Sequence, residues 1–397
     1  MTATAGLIQR AWGFTAPVTS VIRAPGWVAL AVGLVAFVVG GRLGWAELVV
    51  VWIALASMLV AAVVFVLGRT SYQVALDLAR LRVTVGEEAF GEIAITNPSR
   101  RALLPSDATL AVGEGLATFR IPRLAAGASH SESFRIPTQR RTVLSVGPVR
   151  SSRGDALGLL RREVTWTDVH ELFVHPLTVN LDGSSAGFLR DLEGTPTDDL
   201  SSSDVSFHAL REYVPGDDRR HIHWKTSARI GRFMVRQFEE TRRSHLVVAL
   251  SSNLADYGSE DELELAISAG ASLGLQAIKE GKDLTVMTSG GVLRSQTGMR
   301  LLDDCSRLEP VRDRNLIADV AAAASVRVPD ASVAVLLAGS TPSPHQIRAA
   351  AVHFPVDVAV VVVRCVPGIE LARKTLGGTP LLELGGLTDL AKGMRAL

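Results

Sequence analysis

Two long apolar runs near the N-terminus constrain this chain more than any other feature of its sequence. Residues 24–41 read APGWVALAVGLVAFVVGG and residues 48–68 read LVVVWIALASMLVAAVVFVLG, and neither run carries a charge. A helix rises 1.5 Å per residue, so about 20 apolar residues cross a hydrocarbon core of about 30 Å. No small-x-small cleavage site follows the first run, which disfavours a signal peptide. The sequence predicts a transmembrane helical hairpin over 24–68, preceded by a short segment, 1–23.

Arginine flanks this hairpin at both of its outer ends. Arg10 and Arg23 precede the first run and three arginines follow the second, whereas the short connection carries only Arg42, offset by Glu47. Positive charge is enriched on the cytoplasmic side of membrane proteins. We therefore expect the lipid bilayer to hold the hairpin, with both termini and all the sequence after the hairpin in the cytoplasm.

Between residues 71 and 181, short alternating runs are broken by turn residues. GEIAITN (91–97), ATFRIP (117–122) and ESFRIP (132–137) each alternate apolar and polar side chains and end at Asn or Pro. Period two with Gly, Pro and Asn punctuation is typical of antiparallel strands with one buried face. The sequence predicts a β-sandwich over 71–181, followed by a Ser-, Gly-, Asp- and Thr-rich linker or loop over 182–206.

A different pattern extends over residues 244–397. Short, continuous, Val-rich runs occur at 245–251, 284–289, 332–338 and 356–364. Strands buried on both faces of a parallel sheet have this composition. Helical periodicity separates the runs, most clearly over 260–280, where Ser259 supplies a start signal and Gly281 a stop signal. The alternation predicts a doubly wound α/β domain.

Residues 207–243, which we call the charged segment, connect these two regions. From Arg211 to Arg243 the chain carries nine Lys and Arg against five Asp and Glu, although its 41 basic and 40 acidic residues balance overall. The near-neutral total and the interspersed carboxylates lead us to expect no nucleic-acid partner. Three uses of the charged segment remain open: bracing by charge-assisted hydrogen bonds, recognition of a partner or anion, and a metal site.

Local patterns within the charged segment predict a turn and a strand. The sequence VPGD at 214–217 combines the fixed φ of Pro with the freedom of Gly, which is a strong turn signal. Beyond it, Ile222 and Trp224 alternate with His221 and His223. This alternation predicts a strand with both histidines on the face opposite Trp224. A second strand is predicted over 233–239.

The charged segment also resembles a known family. The run R-E-Y-x-P-G-D-D-x-R-x-I-H-W-x-x-S-A-R, which begins at Arg211, resembles the signature of the bacterial domain-of-unknown-function 58 family, and the stretch VGPVRSSRGDALGLLRR (146–162) fits the same layout. The resemblance implies two transmembrane helices, a β-domain and a C-terminal von Willebrand factor A-like domain. It further implies MoxR-type AAA+ ATPases and membrane-bound transglutaminase-like proteins as partners, and an assembly or chaperone-adaptor role.

Nine residues of this signature are the expected partner-binding surface. All nine lie in the run quoted above: Arg211, Tyr213, Asp217, Asp218, Arg220, His223, Trp224, Ser227 and Arg229.

The chain departs from the A-type pattern where such a domain binds its metal. That site uses an Asp-x-Ser-x-Ser loop after the first strand and an Asp after a later strand. Here Ala249, Ser251 and Asn253 stand at the first place and Ala338 at the second. A divalent cation needs several oxygen ligands, preferably anionic ones. We therefore expect no metal at this loop, and no cofactor.

The sequence as a whole predicts a multi-pass protein of the bacterial inner membrane that acts as an adaptor or assembly cofactor and not as an enzyme. The alternative is a metal- or phosphate-dependent enzyme that uses Asp217, Asp218, His221 and His223. Two imidazoles and a carboxylate can hold a catalytic metal, which is the physical basis of that alternative.

Overall fold

The structure is a computed structural model that describes residues 21–67, 72–103, 105–154, 157–181, 205–215, 217–240 and 245–395. The chain divides into two compact units, Met1–Val174 and His175–Leu397. Most of the predicted segment 1–23 and of the predicted linker 182–206 lies outside the described residues.

Two apolar helices begin the first unit and confirm the predicted helix pair. Helix α1 spans Ala24–Leu43 and helix α2 spans Ala46–Leu67. Both are long and apolar enough to cross a membrane. Gly44 ends α1 with φ 70°, a left-handed conformation that glycine adopts without strain. A side chain at Gly40 would place its Cβ 2.9 Å from the Leu48 Cβ, so glycine allows the two helices to approach closely.

Two antiparallel sheets complete the first unit. One has the order β1-β3-β6, and the other has the order β2-β9-β7-β4-β5 with β8 paired to β7. The strands are β1 Gln73–Leu78, β2 Arg82–Thr84, β3 Ala89–Thr96, β4 Ser106–Val112, β5 Gly115–Ile121, β6 Ser129–Ile136, β7 Thr142–Gly154, β8 Arg161–Thr165 and β9 His170–His175. Residues of both sheets, among them Ile93, Ile136, Leu110 and Leu172, form one buried core. The three strands predicted from alternation correspond to β3, β5 and β6.

The second unit contains the hairpin of the charged segment. Strand β10 (Val205–Glu212) pairs antiparallel with β11 (Met234–Glu240), and helix α3 (Trp224–Ile230) lies between them in sequence. Strand β11 confirms the predicted strand over 233–239. The strand predicted around 222–224 is wrong, because residues 219–221 form a short 3-10 helix and α3 begins at Trp224.

A seven-stranded sheet forms the body of the second unit. Its order is β14-β13-β12-β15-β16-β18-β17; the five inner strands run parallel, and β14 and β17 pair antiparallel at the edges. The strands are β12 His245–Leu250, β13 Asp283–Thr288, β14 Gly291–Leu293, β15 Val333–Ala338, β16 Ala359–Cys365, β17 Ala372–Leu376 and β18 Thr379–Leu384. The four Val-rich runs correspond to β12, β13, β15 and β16.

Helices cover both faces of this sheet, as the sequence predicts. They are α4 Glu260–Lys279, α5 Gly298–Arg307, α6 Ile317–Arg327, α7 Pro344–Val352 and α8 Leu390–Met394. Leu246, Val248 and Leu250 of β12 pack with α4, α5 and α8, whereas the alternate residues Val247 and Ala249 pack with α6 and α7. The domain is therefore doubly wound.

The division between the units differs from the boundary predicted near residue 181. Leu181 is fully buried in the core of the second unit, and Val179 packs against the same core. His175 lies 2.9 Å from Asp303 of α5, measured from Nε2 to Oδ1. Residues 175–181 thus belong to the α/β unit because their side chains are buried there.

Candidate docking surface

The turn of the charged segment is held by a two-pronged ion pair. The two terminal nitrogens of Arg211 donate to the two carboxylate oxygens of Asp217 at 2.8 and 2.6 Å. The backbone N–H of Val214 donates to the same carboxylate at 2.9 Å, and the Asp217 N–H returns a bond to the Val214 carbonyl. The hydrogen bond from Arg211 is the largest cause that lowers the pKa of Asp217 below its ordinary value, and Asp217 in turn raises the pKa of Arg211. The predicted turn is present at Val214 and Asp217, while Gly216 lies outside the described residues.

Asp218 and His223 each begin a helical turn. The Asp218 carboxylate accepts the Arg220 N–H at 2.9 Å and caps the 3-10 helix. The His223 Nδ1 accepts the Thr226 N–H at 3.2 Å and caps α3. Both side chains therefore have structural partners inside the hairpin.

Ser227 connects α3 to the strand that follows it. Its hydroxyl donates to the His223 carbonyl at 3.1 Å and accepts the Met234 N–H at 2.9 Å. The His223 N–H donates to the Met234 carbonyl at 2.8 Å, and Ile222 bridges to Val235. Because Ser227 is buried, these bonds fix α3 against β11.

Exposed aromatic rings lie on this braced frame. The rings of Trp224 and Phe233 pack edge-to-face at a centroid distance of 6.0 Å. The rings of Tyr213 and Phe233 also pack edge-to-face, at 6.2 Å. The side chains of Trp224 and Phe233 are nevertheless 62% and 56% exposed. We call Tyr213, Trp224 and Phe233 the aromatic patch. Large exposed apolar groups of this kind are typical of interaction sites.

The hairpin that carries the aromatic patch also presents positive charge. Its exposed basic residues are Arg219, Arg220, Lys225, Arg229, Arg232 and Arg236. An exposed ion pair of 3.5 Å joins Arg232 to Glu212, which offsets one of these charges. The surface as a whole is therefore aromatic and basic.

The nine expected site residues fall into two groups in the structure. Five brace the hairpin: Arg211, Asp217, Asp218, His223 and Ser227. The other four, Tyr213, Arg220, Trp224 and Arg229, contribute to its aromatic and basic surface. The expected set omitted Phe233, whose ring contacts two of these residues. Its place immediately before an amphipathic strand is the sequence signal that could have identified it.

A second place of interest lies at the carboxyl ends of β12 and β15. After β12 the chain adds β13 and β14 on one side of β12, and it then adds β15 on the other side. The order in which strands are added to the sheet therefore reverses between β12 and β15. Ligands of open α/β sheets bind at such a reversal. Ser251 and Asn253, which stand in the loop where we expect no metal, follow β12 here.

The polar groups at this place bond to one another. The Ser251 hydroxyl donates to the Asp256 carboxylate, which also accepts the Ile317 N–H at 2.9 Å. The Asn253 amide donates to the Asp313 side chain at 3.0 Å. Burial is the main cause that raises the pKa of Asp256, while its hydrogen bonds oppose that shift.

Glu262 of α4 completes this network across the sheet edge. Its carboxylate accepts the Ser340 N–H and the Gly258 N–H at 2.9 and 2.8 Å, and the Ser340 hydroxyl at 2.9 Å. Ala249 and Ala338 contribute only apolar side chains. The donor set does not fit a divalent cation, because its oxygen ligands are already engaged. Among the described residues, no three His, Cys, Asp or Glu side chains are placed to hold a metal.

The charged segment is similar to a known protein family. Residues 209–335 match the model of the family described as "Protein of unknown function DUF58". This match supports the assignment of the chain to the DUF58 family. The match begins in β10 and includes the whole braced turn and the first half of the α/β domain.

A similar protein occurs in Bacillus subtilis (strain 168). The chain is 28% identical over 171 residues to "Uncharacterized protein YeaD", a match that covers 41% of this chain and 36% of that protein. The chain therefore spans about a third of the relative's length.

Two solved structures are similar to parts of the chain. The CARDB domain of the PF1109 protein from Pyrococcus furiosus, in complex with di-metal ions, covers 26% of this chain and 92% of its own, with 10% identity and a TM-score of 0.20. A β-glucosidase from Listeria innocua in complex with glucose covers 27% of this chain and 16% of its own, with 16% identity and a TM-score of 0.19. Scores of this size carry no functional conclusion.

Proposed function

We propose that this DUF58 protein is a membrane-anchored adaptor that docks an AAA+ ATPase of the MoxR type through its aromatic patch. The observation that carries the proposal is the combination of two exposed aromatic rings with a frame that is already rigid. Trp, Tyr and Arg dominate the free energy of protein–protein contacts, and a preorganised surface loses little entropy when it binds. The basic side chains around the patch select an acidic partner surface.

The α/β domain is proposed to be of the von Willebrand factor A type and to act as a binding scaffold. Its doubly wound sheet supports this assignment, and the internal bonding of Ser251, Asp256 and Glu262 supports a role without metal. A transglutaminase-like membrane protein is proposed as a further partner.

We further propose that the protein is not an enzyme. Asp217, Asp218 and His223, three of the four residues on which the enzyme alternative depends, each have a structural partner within the hairpin. No specific observation favours the enzyme alternative.

Docking can be tested with Trp224→Ala and Phe233→Ala in the full-length protein. Membranes that contain each variant would be solubilised, and the AAA+ ATPase that co-purifies would be quantified by mass spectrometry. Loss of an anchor residue that contributes about 2 kcal/mol lowers affinity roughly 30-fold, so we expect most of the ATPase to be lost. Val326→Ala, which truncates an exposed side chain on α6, is the matched control. Equal ATPase recovery from all variants would contradict the proposal.

Membrane orientation forms a separate part of the proposal. We place the hairpin across the inner membrane with both termini and both soluble regions in the cytoplasm, because arginine flanks its outer ends. Protease added to inverted inner-membrane vesicles should digest the α/β unit, whereas protease added to intact spheroplasts should not. Digestion in spheroplasts alone would reverse the proposed topology.

A further inference from the structure

The turn between β7 and β8 lies against the base of the apolar helix pair. The Arg23 N–H donates to the Leu159 carbonyl at 3.0 Å, and Ile22 forms an antiparallel bridge with Leu160. Leu159 and Leu160 are both buried. We call residues 157–160 the β7–β8 turn.

The side-chain contacts of the turn show how far along the helices it reaches. Leu159 and Leu160 form a cluster with Ala62 of α2 and pack against Ala29 of α1. Ala29 lies five residues after the start of α1, and Ala62 lies five residues before the end of α2. Each is therefore about 7.5 Å from its helix end, at a rise of 1.5 Å per residue.

Glycine makes this close contact possible. A side chain at Gly26, in the first turn of α1, would place its Cβ 2.4 Å from the Leu159 carbonyl oxygen. Real Cβ atoms do not approach backbone oxygen this closely, so Gly26 is needed for the β7–β8 turn to reach the helix.

We propose that the β7–β8 turn is a lipid-contacting wedge that inserts Leu157 into the interfacial layer of the bilayer. Interfacial segments bury their apolar faces about 5–10 Å into the headgroup and acyl boundary, the depth at which this turn meets the helices. Leu157 is 56% exposed beside the buried Leu159–Leu160 pair, and Arg23, which immediately precedes α1, is also exposed. Because lipid surrounds the spanning helices at that level, lipid is the occupant that reaches Leu157.

The inference rests on the proposed membrane anchoring, and one experiment tests both separately. The variants Leu157→Cys, Leu116→Cys and Val35→Cys of the full-length protein would each be labelled with an environment-sensitive fluorophore, in vesicles that carry shallow or deep spin-labelled lipids. The native Cys305 and Cys365 are buried, and unsubstituted protein gives the background. Leu116 is the matched control, because it is 68% exposed but far from the β7–β8 turn. It pairs with Ala111 at the end of β4 that lies next to Val146 of β7. Val146 is six residues before Ser152, near the turn end of β7, which is about 20 Å at about 3.3 Å per residue.

We expect the probe at Leu157 to shift to shorter wavelength and to be quenched by the shallow lipid, with no change at Leu116 and deep quenching at Val35. If Val35 is quenched but Leu157 behaves like Leu116, the wedge is overturned and the membrane anchor stands. A blue shift at Leu157 without lipid quenching would mean that protein covers the turn, which also overturns the wedge. If Val35 is not quenched, both the wedge and the anchor are overturned.

Discussion

Asp217 shows how one side chain can organise a whole turn. Its carboxylate accepts two bonds from Arg211 and one from the Val214 backbone, so the turn has a fixed shape although much of it faces solvent. Charge-assisted, two-pronged bonds of this kind are stronger and more directional than a single bond between neutral groups. The rigidity of the aromatic patch begins at this residue.

Asp217→Asn should loosen the turn in a pH-dependent way. The pKa of Asp217 in the folded protein lies below its ordinary value of 3.8, so the ionised form stabilises the fold above about pH 4, and this contribution is lost as pH falls through the folded pKa. We expect faster hydrogen exchange over residues 211–235 in the variant than in the wild type at pH 7. The difference between the two proteins should shrink towards pH 3.

Glu212→Gln provides the matched control for this measurement. Glu212 is a carboxylate of the same hairpin, but its ion pair with Arg232 is exposed and contributes little. A difference between Asp217→Asn and the wild type that is equally large at pH 7 and pH 3 would show that the ionised pair is not what holds the turn.

At the scale of elements, helix α3 depends on partners outside itself. It has only seven residues, and isolated helices of that length are unstable in water. The His223 ring caps its start, Gly231 ends it with φ 79°, and Ser227 bonds it to the first residue of β11. These contacts explain why the chain forms a helix directly after His223, where the sequence predicts a strand that continues to Trp224.

Ser227→Ala should therefore weaken β11 as well as α3. The variant leaves the Met234 N–H without its acceptor, which costs about 1 kcal/mol for a partly buried group. Exchange at the Met234 amide should quicken by roughly fivefold or more, because 1.4 kcal/mol corresponds to a factor of ten in an opening constant.

Thr226→Ala is the control, because the Thr226 contact to the His223 ring uses its backbone N–H and survives the substitution. Equal effects of the two alanines on Met234 exchange would mean that Ser227 does not couple the helix to the strand.

At the scale of the whole molecule, the two units have separate hydrophobic cores. The β-sheets of the first unit enclose one core, and the two faces of the α/β sheet carry two more. Residues 175–181 extend the second unit towards the N-terminus, with Val179 N–H bonded to the Ser272 hydroxyl at 3.1 Å. The α/β unit is therefore expected to fold as the fragment 175–397.

Leu181→Ala in that fragment should reduce the free energy of unfolding by about 3 kcal/mol, because Leu181 is fully buried. Leu177→Ala, two residues from the fragment's first position and half exposed, should change it by less than about 0.5 kcal/mol. Urea unfolding of both variants would measure the difference. Similar, small effects would place the start of the unit after residue 181.

The sequence alone determined the features that depend on neighbours along the chain. The apolar runs predicted α1 and α2, period-two alternation predicted β3, β5 and β6, and the Val-rich runs predicted four strands of the parallel sheet. In each case the environment of the side chains, lipid, one buried face or two buried faces, repeats regularly along the segment. The order of apolar and polar residues therefore follows that environment.

Only the tertiary structure decided the features that depend on distant partners. The helix at 224–230, the position of residues 175–181 in the second unit and the bonding of Ser251 and Glu262 all require contacts with residues far along the chain or on another element. The same holds for the aromatic patch, where Tyr213 and Trp224 meet at Phe233. A local pattern cannot record such contacts, because the free energy that selects them comes from groups that meet only after the chain has folded.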